Sequence, residues 1–451
     1  MGKEIQINII KKLIRNQAPI VSTTLLIMLV IALALVVTMA VISEFNSHPD
    51  EKVHYEAVKY YSGNNWLPPA VGDPNTLGSY SVYGHSRLNE LGFYYFIAGK
   101  FAAVLSLVTG SALLSARLFN IFLLLILIVL CIRTPYKQRL LFGVLLLTPQ
   151  AWYMFSYANS DAFALFLTIV ITAQLVLDNS LLKQYLNSPS YANSFYKSLP
   201  IVVLILFLYL AKENFYLYFL FLFLWGAWFL YIRSDRKQLL IKYSIMVFIF
   251  LLLVMARQGL DYAMYGPDKG KELQEIQEVI ALDEYKPSAR SIGEGHPNLN
   301  LKKKEVRYLE LFTDPYNWHR GTFYSFAGAY GHLEHFGSGK YYKLMFLLYI
   351  LLALAISVIL WKGKGEARFF LFISILLTVL IVYLASYHSW TADFQAQGRY
   401  LFPTLGVIAF LFGRYCKELG KQVLFNVLLL AIALMSIYSF IEYGLRHIPK
   451  G

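Results

Sequence analysis

The residues best suited to chemistry in this chain are acids and cations at the borders of apolar runs. Asp50 and Glu51 are adjacent in Ser47-His-Pro-Asp-Glu51, just past the first long apolar run. Pro49 suits the first position of a helix and Ser47 or His48 can cap it, so both acids are expected in a first helical turn. The partial positive charge there keeps a carboxylate ionised and able to accept a proton. His54, four residues after Asp50, shares its helix face. Asp161 follows Tyr157-Ala-Asn-Ser160, Lys212 and Glu213 separate two apolar runs, and Arg399-Tyr400 precedes a late one. Each also has a plain structural role open to it. The paired acids can cap a surface helix, and Asp161 can cap an apolar one. Lys212 and Glu213 can pair locally, and Arg399 can anchor a helix end among headgroups.

His332 and His335, with Glu334 between them, have metal-compatible spacing, but no third ligand is apparent and a hydrogen-bonded pair fits better. His48, His54 and His388 are equally weak metal candidates, so no metal ligand is assigned. Neither a phosphate-binding Walker loop nor a dinucleotide-binding glycine pattern occurs.

These residues must be positioned by apolar helices. Hydrophobic residues make up 57% of the 451 residues and aromatics 16%, which is too apolar for a soluble domain. The fold expected is an all-α polytopic membrane protein forming one membrane domain over residues 1–451. Eleven apolar runs read as spans: Ile20 to Ile42, Leu118 to Ile132, Leu140 to Phe155, Ala162 to Leu177, Leu199 to Ala211, Phe215 to Ile232, Leu239 to Met255, Tyr342 to Trp361, Phe369 to Tyr387, Tyr400 to Leu411 and Val423 to Tyr443. Several fall short of the roughly 20 residues of an upright helix and must extend into their flanks or kink. The basic stretch 1–17 precedes a run too long for a removable signal and without a small-residue cleavage site, so it begins a retained first span. Cys131 and Cys416 lie far apart at run ends and suggest no disulfide framework.

The formal charge of +13 requires no nucleic acid. Lysines and arginines gather in short loops, at 133–139, 233–237, 362–368 and 414–417, as the positive-inside rule expects. All four face the cytoplasm with the N-terminus only if Leu91 to Val108, apolar but carrying Lys100 and two glycines, is a juxtamembrane element and not a span. Two large extracytoplasmic regions follow, 43–117 and 258–340, the first holding the acidic helix. The second opens on a short polar helix, Lys271 to Leu282, continues through a Gly/Pro-rich connection at 292–297, and ends in a small, aromatic stretch, 318–331. This topology places Asp50, Glu51, Asp161, Lys212 and Arg399 on one side of the membrane, with the C-terminus.

Several motifs, in order along the chain, then resemble a family. They are Pro49-Asp-Glu51 with His54, Ala116-Arg-Leu118, Thr148-Pro149 followed by Ser160-Asp161, Thr322-Phe-Tyr-Ser-Phe-Ala-Gly-Ala-Tyr-Gly331, and Gln397-Gly-Arg-Tyr-Leu-Phe-Pro403. The set resembles the GT-C superfamily of membrane glycosyltransferases, which use lipid-linked sugars, and more closely a bacterial family of predicted membrane proteins related to protein O-mannosyltransferases. Lys212-Glu213-Asn214 stands where a Lys-Pro or Arg-Pro pair is expected.

The resemblance implies an enzyme of the bacterial plasma membrane with an extracytoplasmic site. An inverting transfer would carry a sugar from a polyprenyl-phosphate donor to a hydroxyl of a glycan, lipid or protein. Asp50 would be the base, with Glu51 orienting the acceptor or serving as the alternative base. Arg399, then Lys212, would stabilise the phosphate, with Tyr400 beside them and His54, Glu213 and Arg117 in support. Asp161 would orient the acceptor or hold a divalent cation, Mg or Mn; orientation is preferred because no complete ligand set is visible. Aromatic residues in 93–96 and 323–330 suit either a prenyl groove or interfacial anchoring. The competing readings are a polysaccharide polymerase or ligase, a flippase or other transporter of lipid-linked sugars, and a non-catalytic assembly protein. Charged groups at mid-span and repeated halves, which mark transporters, do not occur in the sequence.

Overall fold

The computed structural model of the chain describes residues 17–190, 192–288 and 300–451. The basic stretch up to residue 16 and the connection 292–297 lie outside them. Within them the apolar runs fold into helices, labelled in chain order: α1 Gln17–Ile42, α2 Glu51–Ser62, α3 Phe93–Thr109, α4 Ala112–Arg133, α5 Pro149–Phe155, α6 Ser160–Val176, α7 Leu181–Asn187, α8 Leu199–Ala211, α9 Tyr216–Ile232, α10 Arg236–Tyr265, α11 Lys269–Ile280, α12 Trp318–Gly328, α13 Gly339–Trp361, α14 Gly365–Thr391, α15 Pro403–Arg414, α16 Cys416–Gly420 and α17 Val423–Ser439. A two-residue hairpin pairs β1, Ala329–Tyr330, with β2, His335–Phe336.

Nine helical stretches among the described residues are long and apolar enough to cross a membrane, those built on α1, α4, α6, α8, α9, α10, α13, α14 and α17. This is a polytopic all-α membrane protein. Two expected spans are not long helices. The run from Leu140 to Phe155 is a tight 3-10 segment, Arg139–Leu146, followed by α5, with the break at Thr148-Pro149. Proline cannot donate the hydrogen bond that would continue the helix, and Thr148 caps the new start by accepting from the Gln150 amide. The run from Tyr400 to Leu411 holds the 12-residue α15, started by Pro403. Both still run from one end of the bundle to the other. Arg139 Nη1 donates to Ser22 Oγ at the start of α1, whereas Tyr153 meets His48 just beyond its end. Arg399 reaches Asp50 at one end, and Arg414 pairs with Glu366 at the other.

The same contacts sort the charges. Arg139, Arg414 and the Lys183–Asp178 pair gather at the Ser22 end. Asp50, Glu51, Asp161, Lys212 and Arg399 gather at the Ser43 end, where the last residues also return: Glu44 donates its amide to the Pro449 carbonyl, 2.8 Å. Arg139 and Arg414 thus lie at the end of the bundle opposite to Asp50 and Arg399.

Helix α3 lies across α2. Gly99 makes that possible, since a Cβ there would come within 2.5 Å of the Tyr61 side chain and 2.8 Å of the Val58 carbonyl. Lys100 donates to the carbonyls of Gly63 and Asn65 and covers the Trp66 ring, so its charge sits among loop atoms. The far end of α3 exposes Val104, Leu107 and Val108. One polar end and one bare apolar end suit a helix at a membrane border. The expected helix 271–282 is α11, displaced by two residues.

Candidate functional site

Two ion-pair systems meet at this end, and they differ in how completely they are satisfied. In the first, Glu51 is fully buried and takes Arg117 in a two-pronged pair, Nε to Oε1 at 2.7 Å and Nη2 to Oε2 at 2.9 Å. Arg117 gives its remaining hydrogens to the carbonyls of Ala40, Ser43 and Glu44 at 2.7–3.0 Å. Glu51 Oε2 also accepts from the Asn46 amide. Every donor of the guanidinium is used, and the pair ties α1, α2 and α4 together. Burial pushes the Glu51 carboxyl up against the pull of Arg117. A raised carboxyl in a cleft is a base candidate by chemistry, but geometry decides first, and both oxygens are occupied. This is the geometry of a framework contact, whereas the expected part as orienting group or alternative base would need an oxygen turned to the acceptor.

In the second system Arg399 lies between two acids, 3.5 Å from Asp50 Oδ2 and 3.6 Å from Asp161 Oδ2, while Lys212 Nζ is 3.4 Å from Asp161 Oδ1. These contacts are longer than the 2.7–2.9 Å of a good charge-assisted bond. Asp161 Oδ2 and Arg399 Nε are buried without a hydrogen-bond partner. Asp161 is almost enclosed, and Asp50, with 41% of its side chain exposed, is the open member. The structural alternatives for three of these residues do not apply. Asn159, not Asp161, caps α6 by accepting from the Ala162 amide. Lys212 turns to Asp161 and not to Glu213, which is exposed. Arg399, 13% exposed, turns its guanidinium to Asp50 and Asp161.

The helix start at Asp50 also differs from expectation. Ser47 and His48 do not cap α2; the Asn46 side chain does, accepting from the Lys52 amide at 3.2 Å. His48 is pinned between Tyr153 and Ser43, both 2.8 Å away, and stacks on Tyr157. Asp50 stands at the cap position in the left-handed region, φ 58°, without a capping bond. Asp tolerates this conformation better than most residues, at a cost of order 1 kcal/mol or more. The turn leaves its carboxylate free to face Arg399. His54 is buried, with Nδ1 2.8 Å from the Tyr95 hydroxyl. Burial, and then the charges of Arg87, Lys212 and Arg399, lower its pKa well below the ordinary histidine value, so it stays neutral. Burial does the same to His48.

The distant motifs meet behind Arg399. Gly398 must be glycine, because a Cβ there would come within 2.3 Å of the Phe326 backbone nitrogen, and its amide donates to Ser325 Oγ at 2.7 Å. The Thr148 hydroxyl donates to the Phe326 carbonyl, and Gln150 Oε1 accepts from the Ala329 amide. Thr148-Pro149, the 322–331 stretch and Gln397-Gly-Arg399 thus form one packed unit that presents Arg399. The Tyr400 hydroxyl donates to Gln395, and Tyr400 faces a cavity of about 1170 Å³.

That cavity touches the cluster through Lys212, Ser160, Tyr95 and Tyr400; Asp161 connects to it through Lys212, Arg399 through Asp161 and its neighbour Tyr400, and Asp50 through Arg399. Arg87, Arg257 and Asp261 line its other parts, with Phe93, Phe163 and Phe207 between. The aromatic residue Phe93 therefore lines the cavity, whereas Phe323 packs against Tyr342 and Phe346. Arg87 and Arg257 had no signal in the sequence. They sit in polar loop or helix-end context among many other arginines, and only the fold brings them to the cavity. No three His, Cys, Asp or Glu side chains among the described residues are gathered to hold a metal. His332 Nε2 contacts the Asn46 carbonyl. Asp50 and Asp161 both face Arg399, so a divalent cation between them would meet a guanidinium, and the residues do not fit one.

No curated protein matches the chain. A family model described as "Predicted membrane protein (DUF2142)" matches residues 91–408, which take in Arg117, Asp161, Lys212 and Arg399 but begin after Asp50 and Glu51. Covering well over half of the sequence, this match establishes that the chain belongs to the DUF2142 family of predicted membrane proteins.

Proposed function

We propose that this protein is an inverting glycosyltransferase that moves a sugar from a polyprenyl-phosphate donor to an acceptor hydroxyl. It works at the extracytoplasmic face of the bacterial plasma membrane, with the basic end of the bundle in the cytoplasm. The acceptor oxygen attacks the anomeric carbon. The bond from that carbon to the phosphate oxygen breaks with its electron pair going to phosphate, and the hydroxyl proton passes to the Asp50 carboxylate. The donor phosphodiester carries one negative charge and the departing monoester about 1.5 to 2 at neutral pH. Cations that gain interaction as this charge grows are the main requirement at the leaving group. Lys212, on the cavity wall, serves that purpose. Arg399 holds the Asp50 carboxylate in place, and Asp161 holds Arg399 and Lys212 in register.

The observation that carries the reading is the contrast between the two ion-pair systems at one end of the bundle. Glu51–Arg117 is complete and closed. Asp50–Arg399–Asp161–Lys212 is loosely paired, partly open and beside a large cavity, as a site that must accept a charged ligand should be. A carrier would instead place its ionisable groups near the middle of the membrane. The test is mass spectrometry of cell-surface glycans from a strain lacking the gene, complemented with wild-type protein or with Asp50→Asn. A sugar that disappears on deletion, returns with wild type and stays absent with an equally abundant Asp50→Asn supports the proposal. Full restoration by Asp50→Asn refutes Asp50 as the base.

A further inference from the structure

Three cations line the large cavity, Arg87, Lys212 and Arg257. Two have acidic partners: Lys212 has Asp161, and Arg257 has Asp261 at 3.1 Å and Glu90 at 3.6 Å. Arg87 alone of the three has no ion pair or hydrogen bond with a described residue, and it is exposed. It is nonetheless held in place. Its neighbours Ser86 and Leu88 are buried; Ser86 Oγ bonds Ser79 Oγ at 2.5 Å and accepts from the Leu88 amide, and Tyr265 donates to the Leu88 carbonyl. The side chain thus projects from a fixed loop into the cavity mouth.

The charge of Arg87 also reaches the ion-pair cluster. Its charge bears on Lys212 and His54 together with that of Arg399. Of the acids on the cavity wall, Glu90 and Asp261 pair with Arg257 and Glu213 is exposed, so Arg87 is the lining cation without an acidic partner among the described residues and is placed to take an anion beside Lys212. A guanidinium matches a phosphate with two parallel hydrogen bonds where an ammonium offers a point charge. The cavity, larger than the roughly 300–1,000 Å³ of a typical small-molecule site, leaves room for an acceptor besides.

We propose that Arg87 captures the phosphate of the substrate and, with Lys212, holds the phosphomonoester that departs. This rests on the glycosyl-transfer reading for the identity of the ligand, but the binding itself is measurable without any transfer. The probes are dodecyl phosphate, inorganic phosphate and dodecanol, tested on the full-length protein in detergent by displacement of a labelled alkyl phosphate. Asp50→Asn serves as background so that turnover cannot contribute. Arg87→Gln should weaken dodecyl phosphate binding about tenfold or more, the usual worth of a lost charge-assisted bond, and Arg87→Lys by less. Arg307→Gln, at an arginine 88% exposed and paired among the described residues with Glu310, should leave it unchanged. Competition by dodecyl phosphate alone identifies a lipid phosphate; competition by inorganic phosphate as well, lost in Arg87→Gln, identifies a free one, and either supports an anion site at Arg87. Binding of Arg87→Gln within twofold of its background, with the protein monodisperse and its melting unchanged, overturns the inference. So does equal competition by dodecanol. If Arg87→Gln loses phosphate binding while Asp50→Asn still restores glycans, the phosphate site stands and only the transfer mechanism fails.

Discussion

Adjacent acids with opposite roles make a sharp prediction: Glu51→Gln should damage stability, and Asp50→Asn should not. In Glu51→Gln one carboxylate oxygen becomes an amide nitrogen. In either orientation that nitrogen faces a donor, Arg117 Nε at the Oε1 position or Arg117 Nη2 and the Asn46 amide at the Oε2 position. The guanidinium, 1% exposed, is left charged and unpaired. Breaking a buried pair from one side costs about 3–5 kcal/mol, a large share of the 5–15 kcal/mol that holds a typical protein folded. Arg117→Met should cost more, because it also strands the Ala40, Ser43 and Glu44 carbonyls. Asp50→Asn removes a 3.5 Å contact made by a side chain 41% exposed, worth about 0–1 kcal/mol. Asn tolerates the left-handed conformation at this position, so the backbone is unaffected. Large membrane proteins unfold irreversibly, so the assay is the half-life of monodisperse protein at a fixed elevated temperature. A loss of 3 kcal/mol felt in the unfolding barrier shortens it by about two decades. The expected order is wild type and Asp50→Asn together, then Glu51→Gln, then Arg117→Met. A Glu51→Gln protein as durable as wild type, or an Asp50→Asn protein as fragile as Glu51→Gln, would refute the division of roles.

Gly398→Ala forces a methyl group onto the Phe326 backbone and should destabilise by about 1–3 kcal/mol while displacing Arg399, seen as lowered thermal stability together with lost glycan transfer. His48 and His54 titrate near 6.5 when unfolded and well below that when folded. The unfolded state then binds more protons, so their contribution is complete above about pH 6.5 and is lost as pH falls towards the folded values. Melting temperature should drop between pH 7 and 5 and do so less steeply in His54→Asn; an equal slope in that variant would exclude His54. A C-terminal reporter should be active only outside the cytoplasm, and cytoplasmic activity would invert the proposed orientation.

Periodicity and charge placement made the membrane fold legible because both are local. Ile20 to Ile42 is apolar over a full span, and the loop at 133–139 is basic whatever it packs against. The two departures from long helices arise at prolines, Pro149 and Pro403, where a short apolar run is compatible with either a whole or a broken passage. The site was legible only in part. Asp50, Asp161, Lys212 and Arg399 interrupt apolar runs, and such interruptions are visible in any single sequence. What separates Asp50 from Glu51 is not visible there: it depends on Arg117, 66 residues further on, and on Asn46 taking the cap. Arg87 gave no signal because an arginine in a polar loop looks solvated until the loop is seen to close over a cavity.

The placement of Arg117 bears on how the open site survives in an otherwise tightly packed end of the bundle. A loosely paired cluster with buried unsatisfied atoms is costly, and like charges such as Arg399 and Lys212 repel. Alone, those residues would relax by closing their gaps or turning Asp50 outward to water. They are prevented from doing so on both flanks. On one, Arg117 clamps the chain at Ala40, Ser43, Glu44 and Glu51, which fixes the turn that aims Asp50. On the other, Gly398 seats against Phe326 so closely that Arg399 has little backbone freedom. The satisfied pair and the unsatisfied cluster are thus linked: rigidity supplied at Glu51–Arg117 on one flank and at Gly398 on the other holds Arg399 at 3.5–3.6 Å from its two acids.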